Sequence, residues 1–155
     1  MMDIVGREAE FTGYCGLYCG DCIRYRSKAS DLARALLNEL QATEFGKYAE
    51  VKSCSVKELE QYRQCCQVLE AIIGLQCNEP CRVGGGCTTF SCKILQCCQR
   101  RGYQGCWECD DLEKCNEFEF LKPFHGEAPV KNIRKIRELG LDGWTKHRQK
   151  LYTWQ

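Results

Sequence analysis

Fifteen cysteines in 155 residues constrain this chain more than any other feature. At about one residue in ten, cysteine reaches the density at which composition alone points to a scaffold held together through sulfur. The cysteines form two blocks around a helical stretch. The first is Cys15-x3-Cys19-x2-Cys22, within YCGLYCGDC. The second runs Cys77-x3-Cys81-x5-Cys87-x4-Cys92-x4-Cys97-Cys98-x7-Cys106-x2-Cys109-x5-Cys115. Other apolar side chains are scarce. Once the cysteines are set aside from the 44% of hydrophobic residues, about a third of the chain is left, so sulfur is expected to replace part of an ordinary core.

The compartment decides what the thiols do. The opening MMDIVGREAE has neither the basic nor the apolar region of a secretory signal. No apolar run approaches a membrane span. The expected location is cytoplasmic, where glutathione keeps thiols reduced. An odd number of cysteines leaves one over in any full disulfide pairing. Reduced thiols at this density point to metal binding, with disulfides and inert buried thiols as the competing readings.

Zinc takes four soft or borderline ligands in a tetrahedron, and a Cys-x2-Cys turn supplies two of them. Cys19-x2-Cys22 and Cys106-x2-Cys109 are two such half-sites. Cys54, Cys65 and Cys66 fall in the helical stretch at apolar positions and read as small core residues. The candidate ligands are then Cys15, Cys19, Cys22, Cys77, Cys81, Cys87, Cys92, Cys97, Cys98, Cys106, Cys109 and Cys115. They could fill three four-cysteine sites, or two with spare thiols. The first block holds three cysteines, so its fourth ligand comes from elsewhere. Adjacent side chains diverge, so Cys97 and Cys98 are expected to serve different sites, or only one of them to ligate. Three such sites would carry the formal net charge from +1 to about −5. Arg24, Arg26, Lys28, Arg82, Lys93, Arg100 and Arg101 lie near the cysteines and are expected to offset that charge.

Other chemistries fit less well. The spacing Cys15-x3-Cys19-x2-Cys22 is also that of radical S-adenosylmethionine enzymes, but those need a large α/β barrel. An ordinary iron–sulfur cluster on four cysteines, with a redox or electron-transfer role, is the alternative to zinc. A thiol–disulfide oxidoreductase needs a βαβ setting that the pattern lacks. Gly84-Gly85-Gly86 is not followed by the Lys-Ser/Thr of a phosphate loop. His125 and His147, the only histidines, read as surface residues. No catalytic set can be named.

Helical periodicity covers much of the rest. Leu32, Leu36 and Leu40 recur after Ser30-Asp31. Ser55-Val-Lys-Glu58 reads as a capping box for a helix carrying Val56, Leu59, Tyr62, Cys66, Leu69 and Ile73, closed by Gly74. Thr89 to Arg101 reads as helical with Gly102 as its stop. A further helix starts at Asp110-Asp-Leu-Glu113 and ends near Pro123. Val130, Ile133, Ile136 and Leu139 form a stripe closed by Gly140, and Asp142 caps a last helix with Trp144, Leu151 and Trp154. The expected fold is mainly α: one domain over 1–155 of short helices and Gly-rich loops, stapled by Cys-ligated metal sites, with a helical insert at about 30–75.

Lys131, Arg134, Lys135, Arg137, Lys146, Arg148 and Lys150 give the C-terminal stretch a basic, solvated face. That supports weak, salt-sensitive phosphate contact and no specific nucleic-acid readout. A protein partner is the kind of partner expected, and none is identified.

YCGLYCGDC, then GGGC, then CKILQCCQRRGYQGCWECDDLEKC, then NIRKIRELGLDGW follow one another in an order that resembles a prokaryotic family catalogued as domain of unknown function 3795. The resemblance runs from about residue 13 to 144. It implies Cys15, Cys19, Cys22, Cys87, Cys92, Cys97, Cys98, Cys106, Cys109 and Cys115 as the motif cysteines. It also implies a metal, zinc by preference, and no assigned activity. The resemblance also implies a further Cys-x2-Cys past the final Trp, as many relatives have, for which Cys77 and Cys81 are the substitutes expected here.

Overall fold

The computed structural model describes residues 9–86 and 92–148. Cys87, Leu151 and Trp154 and the start of the helix expected at Thr89 lie outside them. The described chain is mainly helical, and its one β feature is an isolated bridge between Thr12 and Tyr18. It divides into two compact units, Arg26–Asn78 and the segments on either side of it.

The Arg26–Asn78 unit is a set of three helices: α1 (Lys28–Ala42), α2 (Phe45–Lys52) and α3 (Tyr62–Gly74), with a 3-10 turn at Lys57–Gln61. The Ser27 hydroxyl caps α1 by accepting from the Ser30 amide. The buried Ser30 hydroxyl donates to the Ile72 carbonyl of α3 at 2.9 Å. A buried hydroxyl needs that partner, and the bond fixes the rotation of α1. Its inner face is therefore Ser30, Ala33 and Leu37. Leu32 and Leu36, expected inside, are 59% and 49% exposed. Asp31 and Arg34 of α1 both bond Gln76, two residues past the end of α3. The Arg26 amide donates to the Cys77 carbonyl at 2.8 Å and closes the unit at its ends. Phe45 stacks near Tyr62, ring centres 5.7 Å apart.

Two sequence expectations fail here. The Ser55 box does not form: its hydroxyl donates back to Lys52, because a 3-10 turn occupies the first residues of the expected helix. Cys54 and Cys65 are exposed and Cys66 is half-buried, so none is a core thiol. The Cys54 thiol spends its proton on the Val51 carbonyl.

The other unit holds α4 (Lys93–Arg101), α5 (Lys122–His125) and α6 (Ala128–His147), joined by short 3-10 turns. Ile94, Cys98, Cys106, Leu112, Phe118, Leu121 and Ile133 form its core, with Tyr14, Cys15, Cys92, Trp107 and Cys115 packed against it. Tyr18, Ile136 and Trp144 form a second cluster beside Phe11 and Leu141. Gly102 ends α4 in the left-handed region, as expected. Gly140 (φ 71, ψ 167) breaks α6, and Leu139 beside it is exposed. Pro123 lies in the first turn of α5 and begins a helix, where its missing N–H costs nothing, rather than ending one. His125 is buried, against the surface reading.

The N-terminal cysteine loop is held on α6. The buried Asn132 amide donates to the Gly16 carbonyl at 2.9 Å. Gly16 sits at φ +79, and a Cβ there would come within 2.9 Å of Ile133 Cγ1 and 3.2 Å of the Pro129 oxygen. Gly16→Ala should therefore cost on the order of 1–3 kcal/mol. Gly74→Ala, at the end of α3 with open space around it, should be neutral or gain up to about 1 kcal/mol. Denaturant midpoints of the two variants check this, and equal effects would contradict it.

Burial holds the His125 imidazole below its ordinary pKa. The unfolded chain then takes up this proton first as pH falls through about 6.5. Stability should drop from pH 7 toward 5 and level off below the folded-state value. His125→Gln should flatten that part of the pH dependence of the unfolding midpoint, and an unchanged slope would rule it out.

Candidate metal centre

The two Cys-x2-Cys segments adopt the same turn. Cys19–Asp21 and Cys106–Glu108 are each one turn of 3-10 helix. The amide of the second cysteine donates to the carbonyl of the first, at 3.0 Å in Cys22 and 3.2 Å in Cys109. Cys22 and Cys109 leave the turn with extended backbones. Cys115 follows a third such turn, Leu112–Lys114.

Surrounding side chains hold these turns. The Cys106 amide donates to the Tyr14 carbonyl at 2.9 Å and ties the first cysteine block to the second. Arg137 on α6 donates to the carbonyls of Trp107 and Cys109. Glu108 accepts from the Gln104 amide. Gly105 is required by crowding, since a Cβ there would lie 2.3 Å from the Trp107 ring. Arg82 donates to the carbonyls of Thr12 and Gln104 and lies over Tyr14, 4.4 Å from its ring centre. Arg148 grips Asp21 of the first turn with two hydrogen bonds, at 2.9 and 3.1 Å, and stacks on Tyr18.

Five thiols line one small cavity of about 20 Å³: Cys97, Cys98, Cys106, Cys109 and Cys115. Ile94, Leu112 and Phe118 complete its apolar wall. Cys98 and Cys106 are buried with Sγ atoms 3.6 Å apart. Their shared hydrogen bond splits their acidities: it lowers the Cys98 pKa against the opposing effect of burial. Arg82 and Arg101 help lower it. The same bond, with burial and the charge of Cys98, drives the Cys106 pKa far up. On the outer side, Arg101 donates to Cys109 Sγ at 3.7 Å. Among the described residues no three Cys, His, Asp or Glu side chains are gathered closely enough to hold an ion; what converges is the Cys98–Cys106 pair.

The remaining candidates are placed as follows. Cys15 and Cys92 are half-buried against the core that contains the pair, and Cys15 is felt electrostatically by Cys106. Cys19, Cys22 and Cys81 are half-buried in the same unit and do not line the cavity. Cys77 belongs to the Arg26–Asn78 unit. Cys87 is outside the described residues. Arg82 and Arg101 stand by the thiols as expected. Arg137 and Arg148, expected on a solvated basic face, instead bind the two cysteine turns. Their one sequence signal is position: Arg137 follows the buried Ile136, and Arg148 follows the helix that carries Trp144.

Fold and site define a small, mainly helical, cysteine-rich protein. Residues 11–120 match the family model described as protein of unknown function (DUF3795), and the chain belongs to that family. No curated protein and no solved structure matches it.

Burial and acidity make opposite demands on Cys98, and burial should win because a reagent must reach the sulfur. Brief alkylation with iodoacetamide should label Cys54 and Cys65 first and Cys98 and Cys106 last, as read by peptide mass mapping. Labelling of Cys98 as fast as Cys65 would contradict the packing.

Proposed function

We propose that the protein binds zinc at a principal site made by Cys98, Cys106, Cys109 and Cys115, and that the metal holds the unit together as a binding or interaction module. The observation that carries this is the buried Cys98–Cys106 pair. With Zn–S bonds of about 2.3 Å, the edge of a tetrahedral site is about 3.8 Å, and the two sulfurs stand 3.6 Å apart. Cys109 and Cys115 line the same cavity and would supply the other two positions once a metal drew them onto the pair. Arg82 and Arg101 offset the thiolate charge. Cys19-x2-Cys22 repeats the same turn and offers a second half-site.

An iron–sulfur cluster on the same four cysteines is the second reading. Thiolates of this kind suit a reducing, cytoplasmic setting. Among the described residues no helix is long and apolar enough to cross a membrane. A protein partner fits better than nucleic acid, because Arg134, Lys135 and Arg148 are paired with Glu113, Glu138 and Asp21.

The purified protein should be colourless and carry zinc by elemental analysis. Metal binding free energy is folding free energy in such proteins, so a strong chelator should remove helical circular dichroism cooperatively. Cys106→Ser should lose about one zinc per chain, while Cys66→Ala keeps all of it. Brown protein containing iron would move the cluster reading to first place, and unchanged circular dichroism after verified metal removal would end the stabilising role.

A further inference from the structure

We infer that Cys98 and Cys106 are an oxidative modification site, where a hydroperoxide closes a disulfide across the core of this unit and a thiol reductant reopens it. The inference rests on how the thiols pack and not on a bound metal. Among the cysteines that line the cavity, these two are the ones whose sulfurs touch, at 3.6 Å. A disulfide bond is about 2.05 Å long, so closure asks for an approach of about 1.5 Å.

The backbone holds the pair together and leaves room for that approach. Cys98 is set in α4, and the Tyr103 amide donates to its carbonyl at 2.9 Å. Cys106 sits in a single 3-10 turn, anchored by its amide to the Tyr14 carbonyl. The link between them begins at Gly102 in the left-handed region and ends at Gly105 in an extended conformation. A short link with glycine at both ends adjusts more easily than a helix does.

Packing also opposes the pairing that sequence spacing suggests, Cys106 with Cys109. Cys106 Sγ faces Cys98, whereas Cys109 Sγ accepts from Arg101 at 3.7 Å. Cys109 lines an open groove with Cys97, Arg100 and Cys115, and Cys106 does not line it. Cys97 is adjacent to Cys98 on α4, where consecutive side chains leave the helix about 100° apart. Hydrogen peroxide is little larger than water, so the burial that delays an alkylating amide delays it less.

The step balances as a two-electron oxidation. One sulfur attacks an oxygen of the hydroperoxide, an S–O bond forms, the O–O bond breaks, and the leaving oxygen takes the thiol proton. The resulting sulfenic acid stands against the second thiol. That sulfur displaces the hydroxyl, an S–S bond forms, and water leaves with the second thiol proton. With hydrogen peroxide the sum is one disulfide and two waters from two thiols and one peroxide. A thiol reductant reverses it by thiol–disulfide exchange. The exposed Cys54 is the contrast, because its sulfur bonds the Val51 carbonyl and not a thiol. A sulfenic acid formed there persists.

The test is brief treatment of the purified protein with hydrogen peroxide, an acid quench and disulfide mapping by mass spectrometry. A parallel sample contains dimedone, which traps sulfenic acids. The first disulfide should join Cys98 to Cys106 and be cleaved by dithiothreitol, with dimedone adducts roughly tenfold or more commoner on Cys54 than on either of the pair. Another pairing ahead of it, Cys106 with Cys109 above all, overturns the inference, as do adducts on Cys98 or Cys106 that match those on Cys54. Cys97→Ser, which removes the neighbouring thiol and spares the pair, should form the same disulfide at the parent's rate, and its loss there overturns the direct route. Zinc content, read before the oxidant is added, judges the metal reading separately. A zinc-free sample that forms the Cys98–Cys106 disulfide defeats the metal reading alone, and a zinc-loaded sample in which other cysteines pair first defeats this inference alone.

Discussion

Two sulfur atoms 3.6 Å apart inside an apolar cluster set the terms for the unit around them. A thiolate in such a place is costly unless it is hydrogen-bonded or bound to a cation. The pair meets that demand by sharing a hydrogen bond, with Arg82 and Arg101 adding positive charge. A metal would meet it more completely, by taking charge from both sulfurs at once. The proposed zinc site is thus an answer to a problem that the packing poses whatever fills the cavity.

The supporting structure follows from that centre. Short 3-10 turns carry the paired cysteines and use few residues to do so. Such turns bury little apolar surface and leave carbonyls open. Arginine side chains take those carbonyls: Arg82 serves Thr12 and Gln104, and Arg137 serves Trp107 and Cys109. Planar guanidinium groups with several fixed donors suit this work better than lysine. The one long helix of this unit, α6, supplies Asn132, Arg137 and Arg148's anchor point, and so positions both cysteine blocks.

Much of this was legible in the sequence because cysteine spacing is a local signal. Cys19-x2-Cys22 and Cys106-x2-Cys109 do form matching turns, and Gly102 does end α4. The failures were of two kinds. Leu32 and Leu36 mark a period correctly but on the wrong face, because the rotation of α1 is set by the distant bond from Ser30 to Ile72. Arg137 and Arg148 read as solvated because a charge carries no sign in the sequence of the carbonyl or carboxylate it will meet. Cys54 and Cys65 read as buried because cysteine usually is; a set of three short helices has too little interior to hold them.

The central claim is that four cysteine sulfurs of this chain surround one zinc ion, with Cys98 and Cys106 forming its buried edge. X-ray absorption at the zinc edge tests it most directly on the purified protein. The account predicts a shell of sulfur alone at about 2.3 Å, with the sulfur count reduced and oxygen or nitrogen appearing in Cys98→Ser. A zinc shell dominated by oxygen or nitrogen in the unaltered protein would contradict it.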